Sequence, residues 1–204
     1  MSQRRSRTMR GFTLVELMIV VAIIGVLAAL AIYGVRRYLS AAKTGEAKNT
    51  VGGISRIAAT RYQGELMAPE VLPEGGVSQQ SSSALCTSAS AVPDNLDKVR
   101  GRKYQPGKSP GMDWGTGDQL AGWTCLVFSI SNPIYYQYHY YNGSNYLSPM
   151  LGGPDPGGSG FEAAARGDVD GDLEESLFAR VGTINQVTKA LVLSTNVFIS
   201  HEFE

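Results

Sequence analysis

Between Gly11 and Val35 the chain reads GFTLVELMIVVAIIGVLAALAIYGV, and the only charged side chain in that stretch is Glu16. No globular domain of ordinary size can bury so long an apolar helix on every side. As a helix, residues 12–35 would extend about 36 Å at 1.5 Å per residue, enough to cross a hydrocarbon core of about 30 Å. Arg4, Arg5, Arg7 and Arg10 precede it with no acid among them, which assigns the N-terminal flank to the cytoplasm; Arg36 and Arg37 on the far flank weigh less. An ionised carboxylate inside such a segment costs roughly 2.5–3.5 kcal/mol on insertion scales and marks a functional position whose partner must be found. A cleavable secretory signal would share the basic start, and Ala29-Leu30-Ala31 offers it a small-residue cutting site. Such a segment needs neither this length nor an internal acid.

Beyond the apolar run, Val35, Leu39, Ala42, Val51, Ile54, Ala58 and Tyr62 recur mostly three or four residues apart, so an amphipathic helix continues to about Gly64. Gly45 and the Gly52-Gly53 pair weaken it by up to about 1 kcal/mol each. From Ala68 to Leu120 the chain is rich in Ser, Gly and Pro and includes Ser81-Ser82-Ser83, which reads as a long surface connection. Five runs rich in β-branched or aromatic residues follow, at 123–130, 134–141, 161–169, 176–184 and 189–200. Asn142-Gly143 and Gly152-Gly153-Pro154 separate some of them. A helix followed by strands predicts an α+β fold with an antiparallel sheet wrapped on the helix.

Gly11 ahead of Phe12, an acid five positions into the segment that starts at Phe12, and the apolar run to about Leu39 together resemble the N-terminus of type IV prepilins and of their relatives, the pseudopilins of type II secretion. The resemblance implies cleavage between Gly11 and Phe12 by a prepilin peptidase and N-methylation of Phe12. It implies a pairing of Glu16 with the N-terminal amine of a neighbouring subunit. The chain then divides into a leader (1–11), a transmembrane and assembly helix (12–35) and a pilin head (36–204), the head comprising helix 36–64, loop 65–120 and sheet 121–204. The implied fold is the pilin fold: a long N-terminal helix, half transmembrane and half amphipathic, packed on a C-terminal antiparallel sheet. The implied partners are other pilin subunits, the prepilin peptidase, an inner-membrane assembly platform and, before assembly, membrane lipid. The implied location is the inner membrane and then an extracellular filament, or a periplasmic pseudopilus. Where many relatives carry proline, this chain has Tyr33, so a kink at that point does not carry over.

Composition adds bounds. The whole chain balances 18 basic against 18 acidic residues, which excludes a strongly basic nucleic-acid binder. Cys86 and Cys125 lie in the exported part, where a disulfide is the simpler reading and two free thiols or a redox pair the alternative. Asp168, Asp170 and Asp172 alternate as in a calcium loop, but Leu173 stands where that loop needs glycine and Ala179 where it needs glutamate. A solvated turn between two strands explains the same residues. Lys98, Arg100, Arg102, Lys103 and Lys108 crowd one segment and form a candidate DNA or anion patch, with a solvated loop as the plainer reading. Tyr136, Tyr138 and Tyr140 share a strand face and are expected in the core. His139 and His201 are the only histidines, and neither accompanies a nucleophile or a zinc spacing. No enzyme and no cofactor other than calcium is expected; a membrane-anchored enzyme or binding protein would require an uncut leader and a pocket of convergent polar groups.

Overall fold

The computed structural model describes residues 11–64, 74–76 and 83–203. The leader arginines, Pro69 and most of the serine run lie outside the described residues. Two compact units divide between Ser40 and Ala41. The first contains the start of α1 (Leu14–Gln63), a single α-helix that passes through Tyr33 and Gly34 without a break. Its apolar window has a mean hydropathy of 2.9 and none of it is buried.

The second unit begins with the rest of α1. Ala47, Val51, Ile54, Ala58 and Tyr62 are buried along one stripe, as the periodicity predicts, with Ala47 rather than Ala42 at its start. Ala47, Val51, Ile54 and Ala58 of this stripe pack in one cluster with Tyr136, Tyr138, Tyr140, Phe161, Ala163, Ala165 and Phe178. All the strand pairings are antiparallel. The strands are β1 (Ala89–Val92), β2 (Gln137–Asn142), β3 (Phe161–Gly167), β4 (Ser176–Ile184), β5 (Leu191–Leu193) and β6 (Phe198–Ser200), in the order β1-β2-β3-β4-β5 with β6 also on β4.

Three expectations need correction. Residues 123–130 are not a strand: Gly122–Leu126 form a short helix, α2, ended by Val127 in the left-handed region. Tertiary demands override β propensity here, because the helical turn points Trp123 at the Ser90 carbonyl (Nε1 to O 2.7 Å) and Cys125 at Cys86. The 65–120 connection is not merely a surface loop, since it contributes β1 and buries Val92, Val99 and Trp114. The run 189–200 is two strands rather than one. β5 pairs Leu193 with Gly182 whereas β6 pairs Phe198 with Ala179, a slip of two residues. Ser194 holds the bulge: its hydroxyl accepts from Val181 N and its carbonyl accepts from Arg180 Nε.

The outer sheet face also buries polar groups, each of them paired. Glu162 is wholly buried and accepts from Leu147 N (2.7 Å), Ser148 N (2.9 Å) and the Ser148 hydroxyl, clamping the base of the 147–152 loop. His139 lies between Gln137 and Tyr141. Because Gln137 Nε2 donates to the Pro93 carbonyl, its Oε1 is left to accept from His139 Nε2–H, and Nδ1 accepts from the Tyr141 hydroxyl. Burial, helped by the charge on Arg166, pushes the His139 pKa down to about 4. The folded state thus holds the neutral ring, and stability present above about pH 6.5 erodes as pH falls towards 4, by on the order of 3 kcal/mol in total. Urea midpoints measured at pH 7 and pH 4.5 should differ less in His139→Gln than in the native chain; equal differences would show that His139 does not titrate with folding.

Candidate functional site

The site with most sequence signal is the start of α1. Gly11 and Phe12 precede it in exposed, non-helical backbone, with Phe12 85% exposed. Thr13 and Glu16 close the first turn reciprocally. Thr13 N (2.9 Å) and the Thr13 hydroxyl (2.8 Å) donate to Glu16 Oε2, and Glu16 N donates to the Thr13 hydroxyl (3.3 Å). This is a capping box, with threonine at the cap and glutamate three residues on. The Thr-x-x-Glu spacing was there to be seen in the sequence, but attention to the charge alone passes over it. The box uses Oε2 and leaves Oε1 without a partner among the described residues. The same carboxylate can therefore order its own helix start and offer an oxygen to an outside cation.

A residue the sequence did not single out fastens the helix to the sheet. Glu46 accepts from Tyr135 N (3.1 Å) and from the Tyr138 hydroxyl (3.0 Å) at the entry to β2. Burial pushes the pKa of this carboxyl up, partly offset by those two donors and by Lys103. Its only sequence signal is an acid beside the buried stripe at Ala47. The chain's end is held in the same way: Lys48 Nζ meets Glu202 Oε1 at 2.5 Å, and the Thr44 hydroxyl donates to the Glu202 carbonyl.

Asp168, Asp170 and Asp172 do converge, with one oxygen from each lying within 4.8 Å of the others. Asp168 is wholly buried and already engaged: Oδ1 accepts from Gly171 N (2.6 Å), and Oδ2 accepts from Leu173 N (3.0 Å) and Arg100 Nε (3.1 Å). A cation there would compete with a guanidinium. The basic segment is likewise partnered locally. Lys98 pairs with Asp94 at 2.6 Å, Arg100 also pairs with Asp97 at 2.5 Å, and Arg102 donates to the Asp97 carbonyl. Lys103 lies over the Tyr135 ring, 5.0 Å from its centroid. Only Lys108 of the five has no such partner among the described residues.

Cys86 and Cys125 are joined. The bridge ties the segment before β1 to α2, beside a cluster in which Trp114 meets Trp123 edge-on at 4.7 Å and Phe128 at 5.4 Å.

Comparison with known proteins agrees with this arrangement. Residues 6–32 match the family model described as the prokaryotic N-terminal methylation motif. Over 69 residues the chain is 45% identical to the type IV major fimbrial protein FimA of Dichelobacter nodosus, a match covering 33% of this chain and 43% of that protein. It is 52% identical over 44 residues to the fimbrial protein EcpC of Eikenella corrodens, covering 22% of this chain and 29% of that protein. It is 44% identical over 54 residues to a fimbrial protein of Moraxella nonliquefaciens, covering 26% and 35%. The matched segment thus spans less than half the length of these relatives, and no solved structure matches the chain. The similarity lies in the N-terminal segment, which carries the methylation motif and resembles the corresponding segment of type IV fimbrial proteins.

Closing the loop between Cys86 and Cys125, 39 residues apart, should contribute about 4 kcal/mol in the chain-entropy picture. Replacing both cysteines by serine is expected to lower the unfolding free energy in urea by about that amount; a change under about 1 kcal/mol would assign the bridge no role in stability.

Proposed function

We propose that the protein is a structural subunit of a type IV pilus, freed of its leader between Gly11 and Phe12 and polymerised through α1. The role is assembly rather than catalysis. The observation that carries this reading is Glu16: the one carboxylate of the exposed apolar stretch, capping its own first turn while its Oε1 has no partner among the described residues, in a segment that matches fimbrial proteins. Once Phe12 bears the terminal amine, stacking α1 helices side by side brings that amine against Glu16 of a neighbour. Two charges that lipid disfavours then neutralise one another. Removing one member of such a desolvated pair strands the other, at a cost of about 3–5 kcal/mol.

Before assembly α1 holds the subunit in the inner membrane; afterwards the helices cover one another in the filament and the head faces outward. Adhesion, twitching and DNA uptake are the uses such a filament serves. A type II secretion pseudopilin shares the N-terminal logic, but the relatives named above are fimbrial. Glu16→Ala, expressed as the sole copy, should be processed at Phe12 yet lower the yield of sheared filaments at least tenfold, the effect of about 1.4 kcal/mol or more. Native yield from that variant, or a native chain that begins at Met1 or at Ile32, would overturn the reading.

The convergence of Asp168, Asp170 and Asp172 favours a second, smaller reading, in which the turn takes calcium in exchange for the Arg100 contact. Calcium in excess of chelator should then raise the melting temperature of the native chain by several degrees, and more so in Arg100→Gln. If neither responds, the turn is held by its own hydrogen bonds and by Arg100 alone.

A further inference from the structure

The head carries two apolar surface features built from different residues, one beside an exposed acid and the other lined by a lysine. One is a knob: the 3₁₀ turn Ser148–Leu151 displays Met150, 84% exposed, and Leu151 beside it. The knob is ordered at its base, because buried Glu162 binds Leu147 and Ser148 through three hydrogen bonds. The residue after Pro154 is an exposed acid, Asp155. The other feature is a cleft of about 590 Å³ between the Asp113–Gly115 turn and α2, walled by Trp114, Trp123, Phe128 and Val127. Lys108 lines this cleft and has no ion pair among the described residues. Trp114 keeps its indole Nε1–H buried without an acceptor among the described residues. Val127, a β-branched residue in the left-handed region at φ 55°, is 70% exposed at the rim.

We propose that the Met150–Leu151 knob of one copy seats in the Trp114–Phe128 cleft of another copy, with Asp155 set against Lys108. Charge selects the occupant: the cleft contributes an unpaired cation and the knob an exposed anion, so knob meets cleft rather than knob meeting knob. Because the two surfaces differ, the contact is heterologous and need not close, which is the geometry that propagates a polymer. The clamp at Glu162 and the bridge at Cys125 hold both sides in shape beforehand, so little ordering is lost on contact. The contact is small, and it acts between heads already brought together by α1. The inference therefore rests on the polymer reading given above.

The test uses the full chain as sole copy, with a benzophenone amino acid replacing Met150. Ultraviolet irradiation of both total membranes and sheared filaments should give a subunit–subunit adduct that maps to residues 108–129. Reading membranes as well as filaments keeps the two ideas separable: filaments without the adduct overturn the contact alone, and absence of both filaments and adduct overturns both. An adduct between two knobs, or to residues outside 108–129, also overturns the contact. Charge reversal supplies a second arm. Lys108→Glu and Asp155→Lys should each lower filament yield at least threefold and the double variant should restore it, with formation of the Cys86–Cys125 bridge reporting that each head has folded. Single variants with native yield, or a double variant no better than the singles, would sink the pairing.

Discussion

An apolar helix segment left exposed among the described residues is the constraint from which the rest of this protein follows. In water, side chains such as Leu14, Ile19, Ile24 and Leu27, each more than half exposed, would each forfeit roughly 1.5–3 kcal/mol relative to burial. The segment needs either lipid or other helices around it. Both environments disfavour Glu16 as a bare ion, and each disfavours it less when a cation is supplied. On the proposed reading, one carboxylate thereby makes side-by-side assembly more favourable than dispersal in the bilayer, while the capping box orders the first turn of the helix.

The same helix serves the head in a different way. Past Ala41 its buried stripe supplies one wall of the core, and polar ties fix where that wall lies. Glu46 binds the entry of β2, the Tyr62 hydroxyl donates to the Lys189 carbonyl (2.7 Å) ahead of β5, and Lys48 holds the segment after β6. Ties at separate points of the sheet define the position of the helix along its axis, which an apolar stripe alone leaves free to slide by a turn.

Legibility in the sequence followed the range of the forces involved. The helix from Leu14 to Gln63 was plain because 3.6-residue periodicity and unbroken apolarity are local. β4 at Ser176–Ile184 and the inward tyrosines of β2 were plain because alternation is local too. What escaped depended on distant partners. Residues 123–130 have strand composition, but Cys86 and Ser90 draw them into a helical turn. The run to Ser200 looks continuous, but the Ser194 hydroxyl replaces a backbone partner and shifts the register. Glu46 and Glu162 look like ordinary surface acids until the amides of residues 135, 147 and 148 arrive beside them. Gly11, Phe12 and Glu16 fall in one contiguous stretch inside the matched segment 6–32, whereas residues 108–129 and 148–155 share no linear signature.

The basic and acidic motifs show how sequence reading divides what the fold joins. Read in isolation, Arg100 belongs to a cationic patch and Asp168 to a cation-binding loop, and each implies a ligand of its own. In the structure Gly101 N donates to the Asp168 carbonyl at 2.8 Å, the Cβ that Gly101 lacks would come within 4 Å of Gly171, and Arg100 reaches the buried carboxylate. The two segments lie against one another, and each is the other's counterion. A buried carboxylate is retained where its hydrogen bonds and countercharge are complete, and Asp168 has two amides and a guanidinium. Much of the charge that suggested external ligands is thus spent on joining the connection after α1 to the β3–β4 turn, and Lys108 lies outside that network, with no ion pair among the described residues.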